Sequence, residues 1–281
     1  MDIIKLRLPD KDRAAGVSFL RQFSVAETYP IHNHLDFFEI FFVLKGKAIH
    51  CVNGENLLLQ KGSLVLIRPH DIHSYEALNR HDFELVSLGV LIPIFNSVCD
   101  YMGVSVDMIA AEKLPLHTVL EGYDFTDINR KLLQVKKFTV PEGRRFYFKA
   151  VLPFILHRLI SHKNEFSLQP IPVRLRELID VMNEKENFVE GIHRLVELSG
   201  ITQEHLNREF RKYLDMTPTE FINLRRLNYA AELLLSRKYE ITDICYMCGF
   251  GNLSHFYHVF KKTYGCSPKQ FVNSAIRELK F

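Results

Sequence analysis

The chain repeats part of its own sequence at an offset of 50 residues. The run HLNREFRK at 205–212 returns in outline as HFYHVFKK at 255–262, and the match continues downstream to Phe221 and Phe271. Two copies of one helical unit predict a domain that can touch an elongated, periodic partner at two points. Double-stranded DNA is the obvious candidate, because its successive major-groove faces lie about 34 Å apart.

Each copy is followed by the start of another predicted helix. The sequences TPTE at 217–220 and SPKQ at 267–270 have the pattern of a capping box with proline at the first helical position. The helix after Thr217 is predicted to run to about Ser236, which gives it a length of about 28 Å. A rod of this length between the two copies fits contact with two consecutive major grooves.

Helical periodicity separates an exposed face from a buried face in each copy. The predicted DNA-binding residues are those on the exposed face: Gln203, Glu204, Asn207, Arg208 and Arg211 in the first copy, and Asn252, Leu253, Ser254, Tyr257, His258 and Lys261 in the second. Arginine can pair with guanine and asparagine with adenine, while Arg and Lys at the helix ends suit phosphates. The alternative is a solvated helix face, and the matching caps and register of the two copies argue against it.

Composition limits the class of protein without naming a partner. A chain of 281 residues suits two domains, and its net charge of +3 is too small to indicate nucleic-acid binding by itself. Five unevenly spread cysteines argue against a disulfide framework. The sequence shows neither a signal peptide nor a run of ~20 apolar residues. We therefore expect a cytoplasmic protein with no membrane partner.

The N-terminal part has the pattern of a small β-barrel or sandwich. From 24 to about 92, short β-branched and aromatic runs alternate with turn signals, including Asn53-Gly54 between two strands. From about 93 the pattern becomes helical, and its longest stripe lies at 144–161. Pro153 should kink this helix or move its start. The stripe can pack on the barrel or form a homodimer interface, and we expect a homodimer.

Four residues in the predicted barrel have the chemistry of a metal site. His32 and His34 are two apart on a strand and so share a face, and Glu39 and His73 can join them from neighbouring strands. This set suits a divalent transition metal such as Zn, Ni, Fe or Mn and leaves coordination positions open. The alternative is that the histidines line a ligand pocket or satisfy hydrogen bonds at the barrel mouth.

The C-terminal part resembles the AraC/XylS family of bacterial transcription regulators. The resemblance rests on LNYAAELL at 227–234, ITDIC at 241–245, GF at 249–250 and FKKTYGCSP at 260–268. It implies two helix-turn-helix units joined by a linker helix, with recognition helices near 202–213 and 252–263, and RNA polymerase as a partner. Cys245 and Cys248 form a lone CxxC, and both fall where the family packs small apolar side chains.

The N-terminal part resembles the cupin fold, whose first motif is H-x-H, a spacer, Glu, a spacer and Gly. Its layout is similar to that of the sensor domain in sugar-responsive members of the same family, the chitobiose-operon type among them. The resemblance implies a small-molecule effector, and Phe41, Arg68 and His70 are the candidate effector-binding residues. Aromatic and guanidinium groups suit a sugar or a small acid.

These patterns predict an α+β chain of two domains. We expect a cupin β-barrel with flanking helices at 1–162, a linker at 163–172, and an all-α domain with two helix-turn-helix units at 173–281. The predicted function is a sequence-specific, DNA-binding transcription regulator that responds to a small molecule, with a sugar as the expected effector. The alternatives are a metal- or redox-responsive regulator of the same family and a cupin metalloenzyme with an appended helical domain.

Overall fold

The chain forms two compact units in the computed structural model, which describes residues 3–23, 29–79, 82–161 and 169–278. Apart from residues 78–81, the N-terminal unit runs to Pro170 and the C-terminal unit begins at Ile171. This boundary falls inside the predicted linker, of which residues 163–168 lie outside the described part.

The N-terminal unit combines ten strands with five helices among its described residues. The strands are β1 (Ile4–Leu6), β2 (Val17–Phe23), β3 (Tyr29–His34), β4 (Phe37–Lys45), β5 (Lys47–Val52), β6 (Glu55–Gln60), β7 (Ser63–Ile67), β8 (His73–Ala77), β9 (Glu84–Leu91) and β10 (Leu116–Val119). The helices are α1 (Asp10–Arg13), α2 (Ile92–Met102), α3 (Val106–Ala110), α4 (Gly122–Gln134) and α5 (Pro141–Ser161), with a 3-10 turn at Val135–Lys137.

The strands form two five-stranded sheets, in the orders β1-β3-β8-β5-β6 and β10-β7-β4-β9-β2. Side chains from both sheets meet in one apolar core, which includes Phe41 and Val43 of β4, Ala48 of β5 and Leu59 of β6. The sheets therefore enclose an interior, as the predicted barrel requires. The opposite face of β4 packs in a second core that includes side chains of α2, α4 and α5, which are the flanking helices.

The predicted hairpin is confirmed. β5 pairs with β6 in antiparallel register, with Val52 opposite Glu55. Asn53 and Gly54 both have positive φ, at 51° and 81°, as the favoured two-residue hairpin turn requires. Three strands were not predicted: β1 and β2 precede the expected β region, and β10 lies inside the region expected to be helical.

Helix α5 is continuous through Pro153 and begins at Pro141, so the expectation of a start near Pro153 is wrong. In the predicted stripe Ile160 is 38% exposed, and six apolar side chains are buried against the barrel: Phe148, Val151, Leu152, Ile155, Leu156 and Leu159. The stripe therefore packs on the barrel, which is the first of the two predicted alternatives. No helix in the described part of the chain is long and apolar enough to cross a membrane.

The C-terminal unit is all-α in its described residues. Its helices are α6 (Val173–Val181), α7 (Lys185–Glu190), α8 (Ile192–Ser199), α9 (Gln203–Leu214), α10 (Pro218–Ser236), α11 (Ile241–Met247), α12 (Leu253–Tyr264) and α13 (Pro268–Glu278). Both predicted capping boxes are present. Thr217 and Glu220 exchange hydrogen bonds at the start of α10, and Ser267 and Gln270 do so at the start of α13. The two copies of the repeat form α9 with the start of α10, and α12 with the start of α13. The helix pairs α8–α9 and α11–α12 correspond to the two predicted helix-turn-helix units.

A buried ion pair anchors the loop after β7. Arg68 is 1% exposed and Asp71 is fully buried, and the Arg68 Nη2 atom donates to Asp71 Oδ1 at 2.7 Å. The Arg68 Nη1 atom donates to the backbone carbonyls of Ile109 and Glu112 at 3.0 and 2.6 Å. The turn residue Asn53 also donates to Asp71, at 2.8 Å. One carboxylate thus joins the β5–β6 turn to Arg68, which in turn holds the segment after α3.

We predict that Asp71→Asn destabilises the protein by about 3–5 kcal/mol, because it leaves the buried Arg68 guanidinium without a compensating charge. Urea unfolding of the full chain, followed by far-ultraviolet circular dichroism, measures the loss. The matched control is Asp127→Asn. Asp127 bonds Lys131 and Arg130 on the surface of α4, so its loss should cost less than about 1 kcal/mol. Equal losses for the two variants would contradict the anchoring role.

Candidate functional site

The four predicted metal ligands converge inside the barrel. β3 and β8 are antiparallel neighbours, and His32 lies directly opposite His73. His34 shares the inward face of β3, and Glu39 comes from β4 in the other sheet. One ligand atom from each residue lies within 4.8 Å of all the others. Zn–N bonds of about 2.1 Å let one ion bridge nitrogens up to about 4.2 Å apart, so the cluster is close to metal-binding size.

Individual contacts show how tightly the cluster is built. The Nε2 atoms of His34 and His73 lie 3.7 and 3.5 Å from Glu39 Oε2. The Ser87 hydroxyl donates to Glu39 Oε1, which leaves Oε2 facing the histidines. His32 Nδ1 lies 2.8 Å from the carbonyl of Pro30 and donates to it, so its Nε2 carries the lone pair. These two hydrogen bonds leave Nε2 of His32 and Oε2 of Glu39 available as ligand atoms.

Burial fixes the charge of the cluster. Burial lowers the pKa of His34 to about 3, lowers the pKa of His32, and lowers that of His73 well below its ordinary value. Burial also raises the pKa of Glu39 to about 7, against the opposing effect of the Ser87 hydrogen bond. At neutral pH the imidazoles are uncharged and keep a lone pair each, which is the form that binds a metal ion.

Buried nitrogen atoms without hydrogen-bond partners among the described residues are a second observation that suits a divalent cation. His34 Nδ1 and His73 Nε2 are buried, and neither has a hydrogen-bond partner within the described part of the chain. A buried polar atom left unsatisfied costs about 1–3 kcal/mol. Coordination would satisfy one such nitrogen and would compensate the charge on Glu39. The donor set, three imidazoles and one carboxylate, matches the preference of Zn, Ni, Fe or Mn.

A fourth imidazole, that of His50, was not predicted. It is fully buried on β5, and its Nε2 atom lies 3.3 Å from Nδ1 of His73. Its strand was predicted correctly, and Ala48 and Val52 on either side point inward with it. The pairing of β5 with β8, which brings His50 to His73, joins strands distant in sequence. Local patterning carries no signal for that pairing.

The three predicted effector-binding residues have different environments. Phe41 is 2% exposed and belongs to the apolar core of the barrel. Every guanidinium nitrogen of Arg68 donates to a protein oxygen, so we correct its assignment to a structural anchor. The His70 side chain is 59% exposed beside Asp71. Of the three, His70 is the one whose polar atoms face solvent.

The exposed face of α9 carries all five residues predicted for it. Gln203, Glu204, Asn207, Arg208 and Arg211 are exposed, whereas Leu206, Phe210 and Leu214 are buried. Within the described residues, no hydrogen bond or ion pair involves the side chains of Asn207 and Arg208. Glu204 lies in the first turn, where the helix dipole favours a carboxylate. Asn207 and Arg208 are therefore available to a partner.

The exposed face of α12 is less polar than that of α9. Ser254, His258 and Lys261 are exposed, but Leu253 and Tyr257 are half-buried and pack against the apolar core around α12. Asn252 is the N-cap residue, and its Oδ1 accepts the backbone N–H of His255 at 2.7 Å. The capping bond occupies one acceptor position of the Asn252 side chain and leaves its amide N–H groups for a partner.

The CxxC pair belongs to the same apolar core. Cys245 and Cys248 are fully buried in it, as the structural interpretation predicted. Burial raises the pKa of Cys245 and raises that of Cys248 to about 12. Neither thiol is in the reactive thiolate form at neutral pH.

Comparison with known proteins agrees with this architecture. Residues 18–105 match the family model described as an AraC-like ligand binding domain, and residues 195–274 match a helix-turn-helix domain. The chain is 24% identical to the HTH-type transcriptional activator RhaS of Enterobacter sp. (strain 638), over 86% of this chain and 87% of that protein. It is 26% identical to RhaS of Yersinia pseudotuberculosis serotype I (strain IP32953), over 86% and 88%.

Among solved structures, the chain is similar to an apo ToxT variant from Vibrio cholerae strain SCE256, with 16% identity and a TM-score of 0.43 over 92% of this chain and 97% of that one. The named sequence relatives are transcriptional activators, which confirms the expectation of a regulator and not a metalloenzyme. The chain therefore combines an N-terminal AraC-like ligand-binding domain with a C-terminal helix-turn-helix domain, and it is a DNA-binding transcription regulator.

Proposed function

We propose that the protein reads bases with α9 and docks on the DNA backbone with α12. The observation that carries this proposal is the pair Asn207 and Arg208, exposed on adjacent positions of α9 with no partner among the described residues. These are the side-chain types that recognise adenine and guanine through two hydrogen bonds. On α12 the exposed Lys261 suits a phosphate, and the half-buried Leu253 and Tyr257 offer shape and apolar contact.

We propose further that a divalent transition-metal ion, held by His32, His34, Glu39 and His73, is the signal received by the barrel. The ligands are almost closed to solvent: the three histidines are each 2% exposed and the side chain of Glu39 is 16% exposed. Such a site admits an ion more readily than a sugar. The ion alters DNA binding only to the extent that it binds the two functional states with different affinities.

The remaining partners stay predictions. A sugar effector is expected from the sequence, and no described side-chain arrangement favours it over the ion. Transcriptional activation is suggested by the names of the RhaS relatives, and RNA polymerase is the partner that the family resemblance implies. A homodimer would bury apolar side chains that are now exposed, among them Phe146 and Phe154 of α5, at 80% and 57% exposure.

We predict that Arg208→Ala weakens binding to the operator by about 1–3 kcal/mol and relaxes base preference at one position, because it removes a base contact. Lys261→Ala should weaken binding to all sequences alike and lower the salt dependence by about one phosphate contact. Fluorescence anisotropy, with an operator selected from a random library and a scrambled duplex, measures both effects.

The control for these two variants is Lys238→Ala, which removes an exposed lysine that follows α10 and lies outside both predicted recognition faces. It should change neither affinity nor salt dependence. Equal losses on the operator and the scrambled duplex for Arg208→Ala would overturn the assignment of α9 as the base-reading helix.

We predict that Glu39→Gln lowers affinity for Zn²⁺ or Ni²⁺ by more than about 100-fold, since loss of even a supporting residue costs 10–100-fold. The wild-type protein should bind roughly tenfold more weakly at pH 6 than at pH 8. The pKa of Glu39 is about 7, so below that pH the ion has to displace its proton. Isothermal titration calorimetry with protein stripped of metal measures both effects. The difference in metal affinity between pH 6 and pH 8 should be absent in Glu39→Gln.

The matched control is His157→Gln, which changes an exposed histidine of α5 outside the cluster. Its metal affinity should equal that of the wild type. The signalling role is tested by the DNA affinity of stripped protein before and after the metal is restored. An unchanged DNA affinity would show that the metal is not the signal, and a response to a panel of sugars in stripped protein would support the sugar instead.

A further inference from the structure

The buried residue His50 lies behind the metal cluster and has no role in the function proposed above. Its Nε2 atom contacts Nδ1 of His73, whereas Nε2 of His73 faces Glu39 at 3.5 Å. His50 therefore meets the ring nitrogen of His73 that is turned away from Glu39. It is not one of the four residues whose ligand atoms converge.

The position of His50 is fixed by the fold. β5 and β8 are antiparallel, with Val52 opposite His73, which makes His50 a diagonal neighbour of His73 on the same face. The two rings are nearly perpendicular, at 87°, with centroids 5.5 Å apart. The ring of Phe41 packs edge-on against His50 from β4, at 5.3 Å. The imidazole is thus held between a ligand and the apolar core.

A single hydrogen bond between two neutral imidazoles contains one proton, which leaves two arrangements. In one, His73 Nδ1 donates to His50 Nε2, and the lone pair of His73 is on Nε2, facing the cluster. In the other, His50 donates, and the proton of His73 is on Nε2, where it points toward Glu39 and blocks coordination. Only the first arrangement makes His73 a metal ligand.

We propose that His50 is a positioning residue that accepts the Nδ1 proton of His73 and so holds Nε2 of His73 in the form that binds the metal. Ligating histidines are commonly oriented in this way, by a hydrogen bond from the other ring nitrogen to an acceptor. Without an acceptor at residue 50, the His73 proton is favoured on Nε2, where Glu39 can accept it. This inference rests on the proposed metal site and adds a residue to it.

The test compares His50→Leu, which removes the acceptor, with His50→Gln, whose amide oxygen can replace it. Isothermal titration of stripped full-length protein with Zn²⁺ should show one ion per chain in all variants. Affinity should fall about 10–100-fold in His50→Leu and recover most of that loss in His50→Gln. His157→Gln serves as the control for a histidine change outside the barrel.

Two further measurements separate positioning from a merely structural role. Nitrogen-15 correlation spectra of histidine-labelled, Zn²⁺-loaded wild type should show His73 protonated at Nδ1. The d–d absorption of Co²⁺-loaded protein should keep the same intensity in His50→Gln, since the number of ligands does not change. A weaker or stronger band in both variants would show that His50 is itself a ligand and would overturn the positioning role.

The outcomes for the wild type and the variants are distinct. If the wild type binds neither Zn²⁺ nor Co²⁺, the proposed metal site fails and this inference fails with it. If the wild type binds Zn²⁺ and His50→Leu binds it equally well, only the inference about His50 is overturned. Thermal unfolding of the metal-free variants checks that a lower affinity in His50→Leu does not come from loss of the fold.

Discussion

The pairing of β3 with β8 sets the chemistry of the barrel. It places His32 opposite His73, and a shift of one residue would turn His32 and His34 to the outer face of the sheet. The register is stabilised by the apolar neighbours that share the inward face, such as Val52 of β5 opposite His73. Three imidazoles are thereby desolvated together, which lowers their pKa values and keeps them neutral. The convergence of the proposed metal ligands is thus a consequence of strand register.

Local chemistry was predictable, and long-range pairing was not. The Asn53-Gly54 turn, the capping boxes at Thr217 and Ser267 and the length of α10 all depend on neighbouring residues, and the structure confirms them. The convergence of His32, His34, Glu39 and His73 could be predicted because H-x-H places two histidines on one face, but the approach of His50 to His73 depends on the pairing of β5 with β8. Arg68 was misassigned for the same reason, because its partners include carbonyls about 40 residues away.

The interior of the barrel is divided between an apolar region and a polar one, and this division limits what can bind. Phe41, Val43 and their neighbours fill the region next to His50, while Glu39, two residues before Phe41 on the same face of β4, belongs to the histidine cluster. Burial raises the pKa of Glu39 to about 7, because a charged carboxylate is unfavourable in this environment. A nearby positive charge would compensate it. A divalent ion supplies that charge in little space, whereas a neutral sugar supplies none.

The two repeats are similar in fold and different in chemistry, and this difference bears on how a chain of net charge +3 binds DNA. Attraction by bulk charge is weak here, so recognition depends on where single groups are placed. On α9 the buried face consists of Leu206, Phe210 and Leu214, which leaves Asn207 and Arg208 exposed for the base contacts proposed above. On α12 the core also takes part of Leu253 and Tyr257, and capping fixes Asn252. The two copies can therefore have different roles on DNA, because side chains that pack in the core of one copy are less available to contact bases.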